Sequence, residues 1–198
     1  MLHPVHEQLA RQIQRSATLP TEFNNALMEC YTNAYTKMGS HSDQALDLAE
    51  GSFIAVFSCY KDSTCSIPPR KLIVEHKESG GPDVAIPLTH NSVVVFSIAA
   101  NRRYKHKIVL DASARTSENV WLGLTFRTSK TFVQFRDGNA YLSDNVRLTL
   151  ADDEQQSEFY RLRRRENNET DFTYPPITYT ISESDITPPD DARSPRDS

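Results

Sequence analysis

Met38-Gly39-Ser40-His41-Ser42-Asp43 is the stretch from which the rest of the chain can be read, together with Arg103-Tyr104-Lys105-His106-Lys107-Ile108 much later. In an extended strand, residues two apart face the same way, so His41 and Asp43 can converge on one point and His106 can reach it from a second strand. Two imidazoles and one carboxylate form a metal-ligand set that leaves coordination positions open. Such a set suits non-haem Fe(II), where a co-substrate and dioxygen must bind the metal itself. A histidine and an aspartate two apart also occur by chance, so the reading needs a second anchor.

Trp121-Leu122-Gly123-Leu124-Thr125-Phe126-Arg127 supplies it. Strand alternation puts Leu122, Leu124 and Phe126 on one face, fit to pack a core, and Trp121, Gly123, Thr125 and Arg127 on the other. Arg127 is then aimed inward, with Gly123 leaving room beside it and Thr125 adding a hydroxyl. A planar guanidinium matches a carboxylate, the chemistry needed to hold a dicarboxylic acid such as 2-oxoglutarate. A surface arginine in an ordinary ion pair is the competing reading.

With these segments and several others, the chain resembles the AlkB-like family of Fe(II)/2-oxoglutarate dioxygenases over about residues 2–130. The matching pieces run in the family's order. They are Phe23-Asn24-Asn25-Ala26-Leu27-Met28-Glu29-Cys30-Tyr31, the His41 segment, Gly51-Ser52-Phe53-Ile54-Ala55-Val56-Phe57-Ser58, Ile86-Pro87-Leu88-Thr89-His90-Asn91-Ser92-Val93-Val94-Val95-Phe96, the Tyr104 to His106 segment and Leu124-Thr125-Phe126-Arg127. The resemblance implies that His41, Asp43 and His106 are catalytic iron ligands and that Arg127 anchors a co-substrate carboxylate. It places Tyr31, and Thr125 beside Arg127, in the co-substrate pocket. Fe(II), 2-oxoglutarate as co-substrate and dioxygen follow, with oxidative hydroxylation or demethylation as the reaction.

The chain departs from that family at Trp121 and Gly123, where an arginine and an asparagine are usual, and at Glu29, where an asparagine precedes the pocket tyrosine. One carboxylate of 2-oxoglutarate is therefore expected to be held differently, with Lys105 and Arg115 as candidates. Only a short helix-like stretch stands where nucleic-acid repair members carry a nucleotide-recognition lid. A small-metabolite substrate is accordingly expected. An AlkB-type dealkylase of single-stranded nucleic acid is the alternative, favoured by Arg102, Arg103, Lys105 and Lys107 around His106. A non-catalytic metal-binding or interaction protein on a jelly roll is the third reading.

At 198 residues, 38% hydrophobic, the chain can bury a substantial core. A net charge of −4 argues against a broadly nucleic-acid-coating surface, because such binding neutralises phosphates. No apolar run is long enough to cross a bilayer, and Met1-Leu2-His3-Pro4 lacks the features of a secretory signal. An intracellular location, cytoplasmic or nuclear, is expected. Cys30, Cys59 and Cys65 form no paired motif and suit a reducing compartment.

Along the chain, Val5, Leu9 and Ile13 predict an amphipathic helix that Pro20 ends. Strands are expected over 53–59, 71–75, 84–87, 93–98 and 107–110, then at 121–127. Many short strands behind one helix suggest a mainly β fold with flanking helices, two sheets packed as a double-stranded β-helix, or jelly roll. Asp137-Gly138 predicts a hairpin, and Asp152-Asp153-Glu154 to Arg161-Leu162-Arg163-Arg164-Arg165 a helix with acids at its positive end and bases at its negative end. The expected organisation is a jelly-roll core at 1–130, a hairpin and helix extension at 131–166, and a polar, largely disordered tail at 167–198.

Overall fold

A computed structural model describes residues 2–64, 69–78, 81–114 and 118–188. The chain divides into two compact units, Met1–Ser129 with Glu166–Phe172, and Lys130–Arg165 with Thr173–Ser198.

The first unit opens with α1 (Pro4–Ser16), whose fixed first-turn proline follows the cap His3. Eight antiparallel strand segments follow. Strands β1 (Asn25–Thr32), β2 (Phe53–Tyr60), β5 (Ser92–Ser97) and β7 (Val120–Arg127) make one sheet in the order β1-β7-β2-β5. Strands β3 (Arg70–His76), β4 (Val84–Pro87) and β6 (Tyr104–Leu110) make the other in the order β4-β3-β6. Along the free edge of β6 the segment around Lys37 to His41 pairs antiparallel, Lys37 with Val109 and His41 with His106, and acts as a fourth, irregular strand. This is the jelly roll expected from the sequence, with four strands in each layer.

Strand alternation sorts the side chains of the first sheet. Leu124, Phe126 and Ala55 face outward onto Ala10 and Ile13 of α1 and onto Phe23, a core beneath the helix. The helix buries Ala10 and Ile13, whereas Val5 is exposed, so its stripe is one turn shorter than the sequence pattern suggests. Their neighbours Trp121 and Tyr60 point the other way, into the space between the sheets. There they pack with Leu72 of β3, Ile108 of β6 and Leu88. A third cluster of Leu48, Ile54 and Ile98 packs Phe96, whose ring lies 5.5 Å from that of His106.

Trp121 and Gly123 are one structural unit. The indole lies back along its own strand, so a Cβ at Gly123 would stand 2.1 Å from Cη2 of Trp121. The ring nitrogen donates to Ser58 Oγ at 2.5 Å. Trp121 can occupy this position only because residue 123 has no side chain.

Three elements of the first unit differ from the sequence reading, beginning with β1, which is not among the expected strands. The strand carrying His106 begins at Tyr104 rather than Lys107, and is preceded by α2 (Ile98–Arg103), capped by Ser97 Oγ on the Ala100 amide at 3.1 Å. A helix of six residues is too short for periodicity to reveal.

In the second unit Gln134–Arg136 (β8) and Asn139–Tyr141 (β9) flank Asp137 and Gly138, both at positive φ (50° and 73°), the two-residue hairpin turn their identities predict. Strand β10 (Arg147–Leu150) pairs with β9. Helix α3 (Asp153–Asn168) starts in a reciprocal cap, Asp152 Oδ1 taking the Gln155 amide at 2.8 Å and Gln155 Oε1 the Asp152 amide at 3.1 Å. Within the stretch that composition assigns to a tail, α3 runs on to Asn168, Tyr179–Thr180 (β11) pairs parallel with β10, and a 3-10 turn spans Glu183–Ile186. Backbone hydrogen bonds from Thr149 and Ala151 to Thr178 and Thr180 hold β11, and such main-chain pairing leaves little trace in composition. Residues 189–198 of that stretch lie outside the described residues, as does Cys65. Among the described residues no helix is long and apolar enough to cross a membrane.

The Trp121–Gly123 coupling has a direct test. Gly123→Ala is expected to cost about 1–3 kcal/mol through overpacking, lowering Tm by about 2–4 °C for each kcal/mol. Gly39→Ala, where an added Cβ meets nothing within 4 Å, should leave Tm unchanged in the same thermal melt.

Candidate metal centre and co-substrate pocket

The centre begins with a backbone exchange. The His41 amide donates to the His106 carbonyl at 3.0 Å and the His106 amide donates to the His41 carbonyl at 2.7 Å. In an antiparallel pair, opposite residues project to the same face. The two imidazoles therefore stand side by side, ring centroids 4.7 Å apart.

Past His41 the chain leaves the sheet, and side chains take over from the ladder. Buried Asn101 of α2 grips Asp43 by its backbone, accepting from the amide and donating to the carbonyl, both at 2.8 Å. Asn167 Oδ1 takes the Ser42 amide at 2.8 Å, and Glu166 Oε1 takes the Ala45 amide at 2.8 Å. With its main chain held on three sides, Asp43 points its buried carboxylate at the imidazoles. Oδ1 lies 3.4 Å from His106 Nε2 and 3.9 Å from His41 Nε2.

One ligand atom from each of His41, Asp43 and His106 lies within 4.8 Å of the others. His41 Nδ1 is 2.8 Å from the Gly39 carbonyl, which accepts a hydrogen bond from Nδ1–H and so leaves the Nε2 lone pair for a metal. Two imidazole nitrogens and one carboxylate oxygen are a donor set that fits Fe(II) and leaves positions for further ligands.

The second carboxylate oxygen belongs to Arg127, whose Nε and Nη2 donate to Asp43 Oδ2 at 2.7 and 2.6 Å. Burial pushes the Asp43 carboxyl up, but the hydrogen bond to His106 and the Arg127 charge outweigh it and hold the group well below the usual carboxylate range. The sequence reading gave Arg127 to the co-substrate. The structure turns two of its donors onto Asp43, which follows the edge segment of the other sheet, a pairing that chain separation hides.

Thr125 is buried on the inner face of β7 beside Arg127. Tyr31 lies directly across β1 from Trp121, its ring stacked at 5.5 Å, and donates its hydroxyl to Glu29 Oε1 at 2.5 Å. Burial, then the Glu29 carboxylate, pushes the Tyr31 phenol above its ordinary range. Glu29, one of the three departures in sequence, thus orients the tyrosine.

The residue that sequence reasoning missed is Arg70. It lies one residue outside the strand expected over 71–75, yet it opens β3 and is fully buried. Its guanidinium carbon sits 5.6 Å from the Tyr31 ring centre and 5.9 Å from that of Trp121. Nη2 donates to the carbonyls of Thr32 and Tyr35 at 2.8 and 2.9 Å, while Nε and Nη1 have no partner among the described residues. The signal was the alternation Arg70-x-Leu72-x-Val74, which puts a charge in line with an apolar face.

Of the two proposed substitutes for the missing arginine, Lys105 is one position off the inward face that His106 occupies on β6, and Arg115 lies outside the described residues. Much of the basic cluster is spoken for. Arg102 forks onto Glu50 at 3.0 and 2.5 Å, and Lys107 pairs with Glu75. Among the other histidines, His90 accepts the Tyr60 amide at 3.0 Å, and His76 packs edge-on against Tyr104.

A jelly roll with two histidines and an aspartate gathered at one end of its inter-sheet space defines a non-haem iron oxygenase scaffold. Residues 2–127 match the 2OG-Fe(II) oxygenase superfamily, and the chain belongs to that family, whose chemistry uses Fe(II), 2-oxoglutarate and dioxygen. Among solved structures it is similar to a Pseudomonas putida prolyl-4-hydroxylase at 16% identity and a TM-score of 0.39, over 63% of this chain and 61% of that one. The chain thus spans about three fifths of that protein's length. No curated protein matches it.

Because Asn101 and Arg127 act on the same aspartate, each is expected to control metal binding. Asn101→Ala and Arg127→Ala should each weaken Fe(II) or Mn(II) affinity by about 10–100-fold in anaerobic calorimetry. Arg127→Ala should also cost about 3–5 kcal/mol of stability, since it strands a buried carboxylate. Affinity unchanged in both variants would sever these residues from the site.

Proposed function

We propose that this chain is an Fe(II)- and 2-oxoglutarate-dependent dioxygenase in which His41, Asp43 and His106 hold the iron. The observation that carries the reading is the approach of both imidazoles to one oxygen of a carboxylate whose other oxygen is already bound to Arg127. When bound, iron and 2-oxoglutarate supply, with dioxygen, the oxidising power that inserts oxygen into a substrate C–H bond, and 2-oxoglutarate leaves as succinate and carbon dioxide. The chain's own residues bind, orient and exclude water.

Arg127 keeps Asp43 charged and limits it to one free oxygen. The Gly39 carbonyl holds His41 with Nε2 forward, and Phe96 closes one side of His106. The inner core of Tyr60, Leu72, Leu88, Ile108 and Trp121 lines the space between the sheets with apolar surface, which disfavours solvent on that side of the centre.

The substrate we propose is a small metabolite, hydroxylated at carbon or demethylated where that carbon is borne on nitrogen. Its support is the engagement of Arg102 and Lys107 by the protein's own carboxylates and the net charge of −4, which reduce the attraction around His106 for a phosphate backbone. The order of the segments resembles the AlkB-like branch, so dealkylation of single-stranded nucleic acid is the second reading. Salt-sensitive binding of an oligonucleotide would favour it.

Anaerobic addition of Fe(II) and then 2-oxoglutarate to the purified chain should produce the weak visible charge-transfer absorption of the chelate. The band should be absent in His106→Ala and in Asp43→Ala. Iron binding without any band would remove 2-oxoglutarate from the proposal.

A further inference from the structure

Two arginines enter the space between the sheets, and they are in opposite states. Arg127, on β7 at the metal end, has its charge matched by Asp43. Arg70, on β3, has no carboxylate within ion-pair distance among the described residues, although its side chain is fully buried. Its near neighbours are the rings of Tyr31 and Trp121 and the carbonyls of Thr32 and Tyr35. An interior cation without a counter-charge is among the costliest arrangements a fold can keep. Among the described residues, donors at Nε and Nη1 stand buried without acceptors, and the one other buried side-chain polar atom without a partner is Thr21 Oγ1.

Register places this charge relative to the candidate iron ligands. In the β3–β6 pairing, Arg70 faces Leu110, Leu72 faces Ile108 and Val74 faces His106. Arg70 and His106 therefore project to the same inner face, four residues apart in register, or about 13 Å along the strand. Across the gap stand Tyr31 and Trp121 on the first sheet. Trp121 is the residue that takes the place of the arginine the family resemblance leads one to expect on this strand, and the Arg70 guanidinium lies beside its indole.

We infer that Arg70 receives the distal carboxylate of 2-oxoglutarate, so that the co-substrate anchor has moved from the last strand of one sheet to the first residue of β3 in the other. The inference rests on the 2-oxoglutarate reading above. Trp121 and Gly123 are then the complement of the move, the indole filling the former arginine's path and flanking the guanidinium. A diacid chelated at one end by the metal would bring the missing negative charge to Nε and Nη1.

The test compares two ligands that share the 2-oxo acid end and differ in the distal carboxylate. Anaerobic Fe(II)-loaded protein is titrated with 2-oxoglutarate and with 2-oxopentanoate, followed by charge-transfer absorption and by calorimetry. Wild type should prefer 2-oxoglutarate by about 100-fold. Arg70→Gln should bring the two affinities within about threefold while Fe(II) affinity stays as in wild type, and Arg70→Lys should restore part of the preference. Should Arg70→Gln not fold, Arg70→Lys carries the test, with a preference reduced about tenfold. A purely structural arginine would lower Tm in these variants and leave the preference intact, and that result overturns the inference while the dioxygenase reading stands. Wild-type protein that binds iron but neither oxo acid overturns both.

Discussion

The two hydrogen bonds exchanged between the backbones of His41 and His106 are the constraint on which the centre depends. They join the irregular edge segment to β6 and put both imidazoles on one face without either side chain having to be steered there. Because β6 also pairs with β3 over its whole length, the position of His106 is inherited from the sheet. Asp43 lies beyond the ladder and needs other means. Asn101 from α2 and Asn167 and Glu166 from the last turn of α3 take the amides that the sheet no longer satisfies, and Arg127 from the opposite sheet takes the spare carboxylate oxygen. Residues well beyond the segment that matches the family thus complete the loop that carries a candidate ligand.

The role proposed for Arg70 would redistribute a function among the strands of a layered β fold. Its two layers face one another, so a group lost from one strand can be replaced from the strand opposite without changing what the space presents. Trp121 needs the empty position at Gly123 and the acceptor at Ser58, and together these close the route by which an arginine on β7 would enter. Arg70 enters from across the gap. The two departures on β7 and the buried charge on β3 form one connected arrangement of an indole, a tyrosine ring and a guanidinium.

Much of this was legible in the amino-acid sequence, wherever the information is local. The period of two in Trp121 to Arg127 separated the face beneath α1 from the face between the sheets, and the structure keeps that division residue by residue. Asp137-Gly138 specified its hairpin because few other residues tolerate positive φ at two successive positions. The acids opening α3 and the bases closing it marked both ends of a helix. His41, Asp43 and His106 could be named as a donor set because their chemistry is carried by residue type, and the jelly roll followed from many short strands behind a single helix.

What the tertiary structure alone decided are the partners, since a side chain's partner across two sheets has no fixed spacing in sequence. Asp43 and Arg127 are far apart along the chain and 2.6 Å apart in space, which makes the arginine an orienting group for the aspartate before it is anything else. Arg70 falls outside the strand that alternation predicts over 71–75, and only the pairing of β3 carries it into the interior, where desolvation makes an unpaired charge costly. Sequence determined which elements form and which face of each is apolar, because propensity and alternation act over a few residues. Only the packing of sheet on sheet determined which charges meet and which one is left waiting, because desolvation acts on whatever the fold encloses.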